Sequence, residues 1–304
     1  MTRVCHVSRG LCPRMVKLAY VQKKKGMHLS WIGRNPPRFE NTIPFEQIEI
    51  GDQLRFGGLK RLVDALNGSV DLFHVHTHLM DSSILDEVIE NTVKPVVWDK
   101  HDEPEIVPRS DAKWILDWNS YRSYCPLDWF ASARPGSGAF IATGLSDVPG
   151  HFRYWVETFR ELGDTGHKVT LATASKIVKA YSDVATILEP MDIRDLIELA
   201  SGFDVGICGS PHPNQNMLAA KPNKLFEYIA AGIPVICFGR MHEMVKIIEE
   251  YGLGVAISEP REFPKALEYI QERGIRDNVV RFRQEFTMEA EEVIVDRTYQ
   301  QALA

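Results

Sequence analysis

Three charged residues at close spacing, Lys221, Lys224 and Glu227, stand in the otherwise apolar stretch KPNKLFEYIAAGIPVI. Cations at a helix entrance, together with backbone N–H groups, are what phosphate oxygens require. A carboxylate can accept hydrogen bonds from two neighbouring hydroxyls. By general residue usage the same three side chains belong in water, since Lys and Glu are mostly exposed. A second constellation is DLFHVHTH, in which His74, His76 and His78 alternate and so share one face of a strand. Joined by Asp81, His101, Asp102 and Glu103, these rings carry the donor types of a Zn²⁺ or similar site.

The elements that position these residues follow from pattern. Pro222 wastes no hydrogen bond in a first helical turn. Leu225, Tyr228 and Ile229 fall on one face at helical spacing. Gly232 suits the position past a helix end, and residues 234–238 read as a strand covered on both faces. Earlier in the chain, residues 4–7, 29–32, 47–50, 71–76 and 95–98 read as strands, with helices over 13–25, ended by Gly26, and 59–66. Such alternation implies a parallel sheet with helices on both faces and ligands at the carboxyl ends of its strands. Residues 8–9, 77–78 and 99–103 then share one rim.

Residues 114–118 read as a last strand of the first domain, and 134–138, RPGSG, as the densest linker. A second α/β pattern follows, with strands at 140–143, 169–171, 186–188 and 204–207. Its helices are 151–162 and 193–200, the latter capped by Asp192. The tail, 281–304, reads as a helix with Phe286, Val293, Tyr299 and Leu303 as apolar contacts. The expected division is 1–135, 136–280 and the terminal helix 281–304, crossing back to the first domain.

Bulk properties narrow the function. A chain of 304 residues is long enough for two domains with separate cores. With 44% hydrophobic and 25% charged residues it is of soluble globular composition. A net charge of −6 argues against a dedicated nucleic-acid binder. There is no long apolar run for a signal or a membrane span. Five scattered cysteines without C-x-x-C spacing read as reduced thiols of a cytoplasmic protein. Arg14, Lys17 and Lys23–Lys24–Lys25 make one end of the first helix basic, the basis for expecting weak peripheral contact with the anionic inner membrane face.

The ordered pattern Asp204-Val205-Gly206-Ile207, then P-x-K-L-x-E-Y-x-A-x-G-x-P-V-I over 222–236, then Gly252-Leu253-Gly254, resembles the donor-binding half of retaining family-4 glycosyltransferases. That family has the GT-B fold, two Rossmann-like domains facing across a cleft. The resemblance implies transfer of a sugar from a nucleotide diphosphate donor to a hydroxyl of a carbohydrate or lipid-linked acceptor, with no cofactor or metal. Lys224 matches the family's phosphate-binding lysine, with Lys221 beside it. Glu227 matches the carboxylate that holds the ribose. His101, in Trp98-Asp99-Lys100-His101-Asp102, matches a histidine facing the donor sugar. Backbone groups of Asn216, Met217 and Leu218 complete the diphosphate site.

The chain departs from the family at two places. Many members carry a second Glu eight positions before the first, where this chain has Ala219. An Arg and a Lys after the second domain's first strand are replaced by Gly144-Leu145-Ser146-Asp147, leaving Arg153 and His151 as substitutes. Two alternatives follow. One is a metal-dependent hydrolase, since DLFHVHTH is similar to the D-x-H-x-H opening of such enzymes, although on a fourth strand rather than a first. The other is a nucleotide-binding partner protein of the same fold without catalysis.

Overall fold

The computed structural model describes residues 1–33, 44–50, 58–77, 82–101, 112–116, 120–136, 139–143, 149–164, 166–172, 181–210, 218, 221–239 and 241–304. In chain order the first half runs β1 (Arg3–Ser8), α1 (Pro13–Lys24), β2 (His28–Gly33), β3 (Gln47–Ile50), α2 (Gly58–Leu66) and β4 (Leu72–Thr77). It continues with α3 (Ser82–Asn91), β5 (Val96–Lys100) and β6 (Trp114–Leu116). The second half runs β7 (Ala139–Thr143), α4 (Pro149–Asp164), β8 (Lys168–Ala172), β9 (Thr186–Leu188), α5 (Ile193–Ala200) and β10 (Val205–Gly209). There follow α6 (Asn223–Ala231), β11 (Val235–Phe238), α7 (His242–Tyr251), β12 (Gly254–Ile257), α8 (Phe263–Glu272), α9 (Ile275–Phe282) and α10 (Met288–Leu303). No helix among the described residues is long and apolar enough to cross a membrane.

Two compact units result, Met1–Pro126 with Met288–Ala304, and Leu127–Thr287. The division falls at Leu127, ahead of the RPGSG stretch. Residues 127–135 belong with the second unit because the Ala131 N–H donates to Ala230 O and the Arg283 guanidinium donates to Ala131 O.

In the first unit every pairing is parallel and the strand order is β3-β2-β1-β4-β5-β6. The order reverses between β1 and β4, the crevice where such sheets bind ligands. Side chains alternate across the sheet. Cys5, Val7, Phe73 and Val75 pack with α2 and α3, whereas Val4 and Leu72 pack with Met15, Leu18, Val295 and Tyr299 of α1 and α10. His6, His74 and His76 occupy this second face.

Helix α1 begins as its sequence requires, with Pro13 in the first turn and Cys12 Sγ accepting from the Met15 N–H. Gly26, at φ 84°, follows its end. The body of the helix is buried, including two of the cations expected on a basic face, whereas Lys23, Lys24 and Lys25 at its end are exposed. Lys17 is fully buried and donates to Ser123 O at 3.3 Å, and Arg14 is only 8% exposed. Lys25 pairs with Glu292 of α10. In the tail, Phe286 and Tyr299 are buried as expected, but Val293 and Leu303 are exposed. A short turn over Arg283–Glu285 separates α9 from α10, so the terminal helix begins at Met288 rather than 281.

The second unit repeats the plan with order β12-β11-β10-β7-β8-β9, again all parallel and reversing between β7 and β10. Its core strand β11 is buried throughout. Asp192 caps α5, its carboxylate accepting from the Arg194 N–H at 2.9 Å. Gly206 has no room for a side chain, as a Cβ there would lie 2.4 Å from the Tyr228 ring.

Candidate functional site

In the second unit the chain leaves β10, at the reversal of strand order, and re-enters at α6. Pro222 stands at the N-cap rather than in the first turn, and its carbonyl accepts from the Leu225 N–H at 3.0 Å. Gly232 closes the helix at φ 75°, a left-handed conformation that glycine adopts without strain. Between them Leu225 to Ala231 are all buried. Glu227 is therefore not a surface carboxylate, being only 6% exposed.

Lys224 is half-buried one turn before Glu227. Burial lowers its ammonium below the ordinary lysine value, partly offset by the sulfur of Cys208 and the carboxylate of Glu227. Burial in turn pushes the Cys208 thiol up to about 12, so it is a neutral filler rather than a nucleophile. Asn223 Oδ1, at the same helix start, is buried with no hydrogen-bond partner. Lys221 turns to Glu243, 3.4 Å away on α7, so its charge is already countered. Leu218 is half-buried. Asn216, Met217, Ala219 and residues 144–147 lie outside the described residues, as do the side chains of His151 and Arg153.

In the first unit the rim at β1, β4 and β5 carries a connected set of buried polar side chains. The parallel register pairs His6 with His74 and His76 with Asp99. The His101 N–H donates to Thr77 O at 3.0 Å, fixing the residue after β5. Asp99, fully buried, is the hub. Its Oδ2 accepts from the Tyr121 hydroxyl at 2.5 Å and lies 3.0 Å from His76 Nδ1 and 3.1 Å from His101 Nε2. Arg14 Nη2 stands 3.1 Å from its Oδ1, with the guanidinium 3.8 Å over the Tyr121 ring. Behind them His6 Nδ1 meets His76 Nε2 at 2.8 Å, and His74 Nδ1 meets the Tyr299 hydroxyl at 2.6 Å.

The charges follow from this packing. Burial holds His6 and His74 well below the usual imidazole range, and His76 below it despite Asp99. Burial would raise Asp99, but Arg14, His101 and His76 outweigh it and keep the carboxylate well below its ordinary value. Burial opposes a charged His101, yet Asp99 and Cys12 overcome that and raise its pKa. Removing one partner from such a buried charged set costs roughly 3–5 kcal/mol.

Of the expected histidine cluster, His74, His76 and His101 lie together, and the structure adds His6 and Asp99 to them. His74 and His76 are stacked at 4.2 Å, while His78, Asp81, Asp102 and Glu103 fall outside the described residues. His76, Asp99 and His101 form one group of ligand atoms close enough for a shared cation, and His6, His74 and His76 another. His6, Arg14 and Tyr121 escape sequence reasoning because strand pairing and α1 packing, not spacing, bring them in.

No family model and no curated protein sequence matches the chain. Solved structures do. An alpha-glucosyltransferase in complex with UDP and a 13-mer DNA containing an HMU base has a TM-score of 0.72 at 14% identity, over 99% of each chain. AviGT4, a glycosyltransferase involved in Avilamycin A biosynthesis, has a TM-score of 0.61 at 12% identity, over 100% of this chain and 98% of that one. A variant of the Thermobaculum terrenum O-GlcNAc transferase has a TM-score of 0.58 at 12% identity, over 99% of this chain and 67% of its own. Paired parallel sheets of one strand order and these neighbours make the chain an α/β protein of the GT-B glycosyltransferase fold.

Proposed function

We propose that the protein is a glycosyltransferase that takes a sugar from a nucleotide diphosphate donor and passes it to a hydroxyl acceptor. The observation that carries this reading is the pair at the start of α6, a half-buried Lys224 and a buried Glu227 beside the strand-order reversal of the second sheet. A cation here stabilises the charge that develops on a leaving diphosphate, an electrostatic role. Glu227 accepts from the ribose hydroxyls. The unpartnered Asn223 Oδ1 is a further acceptor at the same helix start. Backbone groups of Asn216, Met217 and Leu218 contribute to the diphosphate site, with Arg153 as a supplementary cation. Lys221 is a lesser contact, being paired with Glu243.

His101, oriented by Asp99, is the residue we assign to the donor sugar. Retention at the anomeric carbon, a hexosyl donor and reaction without a metal at the diphosphate complete the reading, supported by the motif over 222–236. UDP heads the candidate donors because a structural neighbour was solved with it. The acceptor we favour is a carbohydrate or a lipid-linked glycan.

Thermal shift with EDTA present, against nucleoside diphosphates and nucleotide sugars, tests the donor site, since a ligand of the folded state raises Tm by mass action. A shift with one nucleotide that Glu227→Ala abolishes is the expected result. Product formation is then assayed with glycan, lipid-linked and HMU-containing DNA acceptors, the last because a neighbour holds such DNA. No shift with any nucleotide overturns the proposal.

A further inference from the structure

The hydrogen-bond chain behind His76 fixes which of its nitrogens is bare. Gln22 Nε2 donates to the Tyr299 hydroxyl at 3.1 Å, which turns Gln22 Oε1 toward His6 Nε2 at 3.0 Å. An amide oxygen can only accept, so His6 Nε2 carries the proton and His6 Nδ1 is the acceptor. The proton between His6 Nδ1 and His76 Nε2, 2.8 Å apart, therefore sits on His76. A neutral His76 then presents a lone pair at Nδ1, and what it faces is the Asp99 Oδ2 carboxylate oxygen at 3.0 Å. His101 Nε2 completes a triangle, 3.1 Å from Asp99 Oδ2 and 3.2 Å from His76 Nδ1.

In the ion-free state a proton on His101 Nε2 can bridge the other two atoms, and a cation taking the place of that proton would meet all three ligand atoms at once. A tetrahedral zinc with bonds of about 2.0–2.1 Å spaces its ligand atoms about 3.3 Å apart, close to this triangle. Two histidines and one carboxylate on one side of an ion leave its remaining positions open. Outer partners are also in place, His6 behind His76 and the Tyr121 hydroxyl on Asp99 Oδ2.

We infer that His76 Nδ1, Asp99 Oδ2 and His101 Nε2 form a binding site for a divalent transition-metal ion of the zinc class. The inference does not rest on the transferase reading, whose diphosphate contacts lie in the other unit. It does imply that a bound ion occupies the His101 nitrogen that otherwise faces Asp99.

The test is a Co²⁺ titration of the full chain after chelator dialysis, followed by visible absorption. The expected result is saturation at one equivalent with the strong d–d bands of a low-coordinate site, bleached by competing Zn²⁺. His101→Ala weakens binding by roughly 100-fold or more, beyond what loss of an outer partner costs a metal site. Circular dichroism of the metal-free variant checks its fold. Should that variant fail to fold, nitrogen-15 shifts of the wild-type rings on adding Zn²⁺ decide, with His76 Nδ1 and His101 Nε2 moving as ligands. Absence of the bands, unchanged affinity in folded His101→Ala, or a thiolate charge-transfer band placing the ion on Cys12 overturns the site.

Discussion

The Tyr299 hydroxyl stands 2.6 Å from His74 Nδ1, joining the last helix to the fourth strand across 225 residues of sequence. The same hydroxyl accepts from Gln22 Nε2 of α1, so one oxygen ties three elements of the first unit. Tyr299→Phe leaves a buried acceptor and a buried donor unpaired while keeping the ring. The expected loss is about 1–3 kcal/mol of stability. Urea unfolding of the variant measures it, and an unchanged midpoint would mean the hydroxyl is not needed by either partner.

Glu227→Gln keeps the shape of the buried side chain and removes its charge. If Glu227 holds the ribose, the variant folds normally and loses the difference between a charged and a neutral acceptor. Hydrogen bonds to charged groups are worth about 1.5–3 kcal/mol and neutral ones about 1 kcal/mol, so the difference of about 0.5–2 kcal/mol raises the nucleotide Kd roughly 2- to 30-fold. Isothermal titration calorimetry reads this directly. Equal affinity in wild type and variant removes Glu227 from the site.

Lys224 gives a pH signature. Phosphate contact needs the ammonium, and burial lowers this ammonium below the ordinary lysine value. Nucleotide affinity therefore falls as pH rises through the lowered pKa. Above that point the Kd climbs about tenfold per pH unit, from a pH below the ~10.4 of a free lysine. Lys224→Arg abolishes the alkaline fall, because a guanidinium stays charged. Lys224→Met lowers kcat by roughly 100- to 1,000-fold, the cost of losing one preorganised electrostatic donor. An alkaline fall that survives Lys224→Arg would assign it to another group.

The alternation of strands and helices was legible because each parallel strand is a short apolar run and each helix has its own start and stop residues. Pro13, Asp192 and Gly232 all do what their types suggest. The α6 stretch was legible for the same reason, being local. The first unit's polar hub was not. His6 lies 68 residues from His74, and only the β1–β4 register sets them side by side. Arg14 and Lys17 looked like part of a basic surface, yet they lie one turn apart on a helix whose neighbours Met15, Leu18 and Val21 are core residues. The clue was that phase. The body of that helix is covered on nearly every side, so its two cations are buried and find partners, Asp99 for Arg14 and Ser123 O for Lys17, while Lys23 and Lys24 in the last turn stay exposed.

Gly209 ends β10, just before the chain departs toward Lys224, and two features bar any side chain there. Its φ of +110° lies in the region that L side chains rarely adopt, and a Cβ would sit 2.2 Å from Phe238 O and 2.7 Å from Phe238 N. Those are backbone atoms of the neighbouring strand, so the sheet itself would have to spread. Gly209→Ala is expected to cost roughly 3 kcal/mol, the upper end of overpacking penalties. Gly163 in α4 provides the control, as a Cβ there meets nothing within 4 Å. In a helix, alanine is favoured over glycine by about 1 kcal/mol, so Gly163→Ala leaves Tm unchanged or raises it. Thermal melts of the two variants side by side separate the effects. Equal Tm values would show that β10 tolerates the extra methyl, and that the close approach of β10 and β11 at Gly209 does not require glycine.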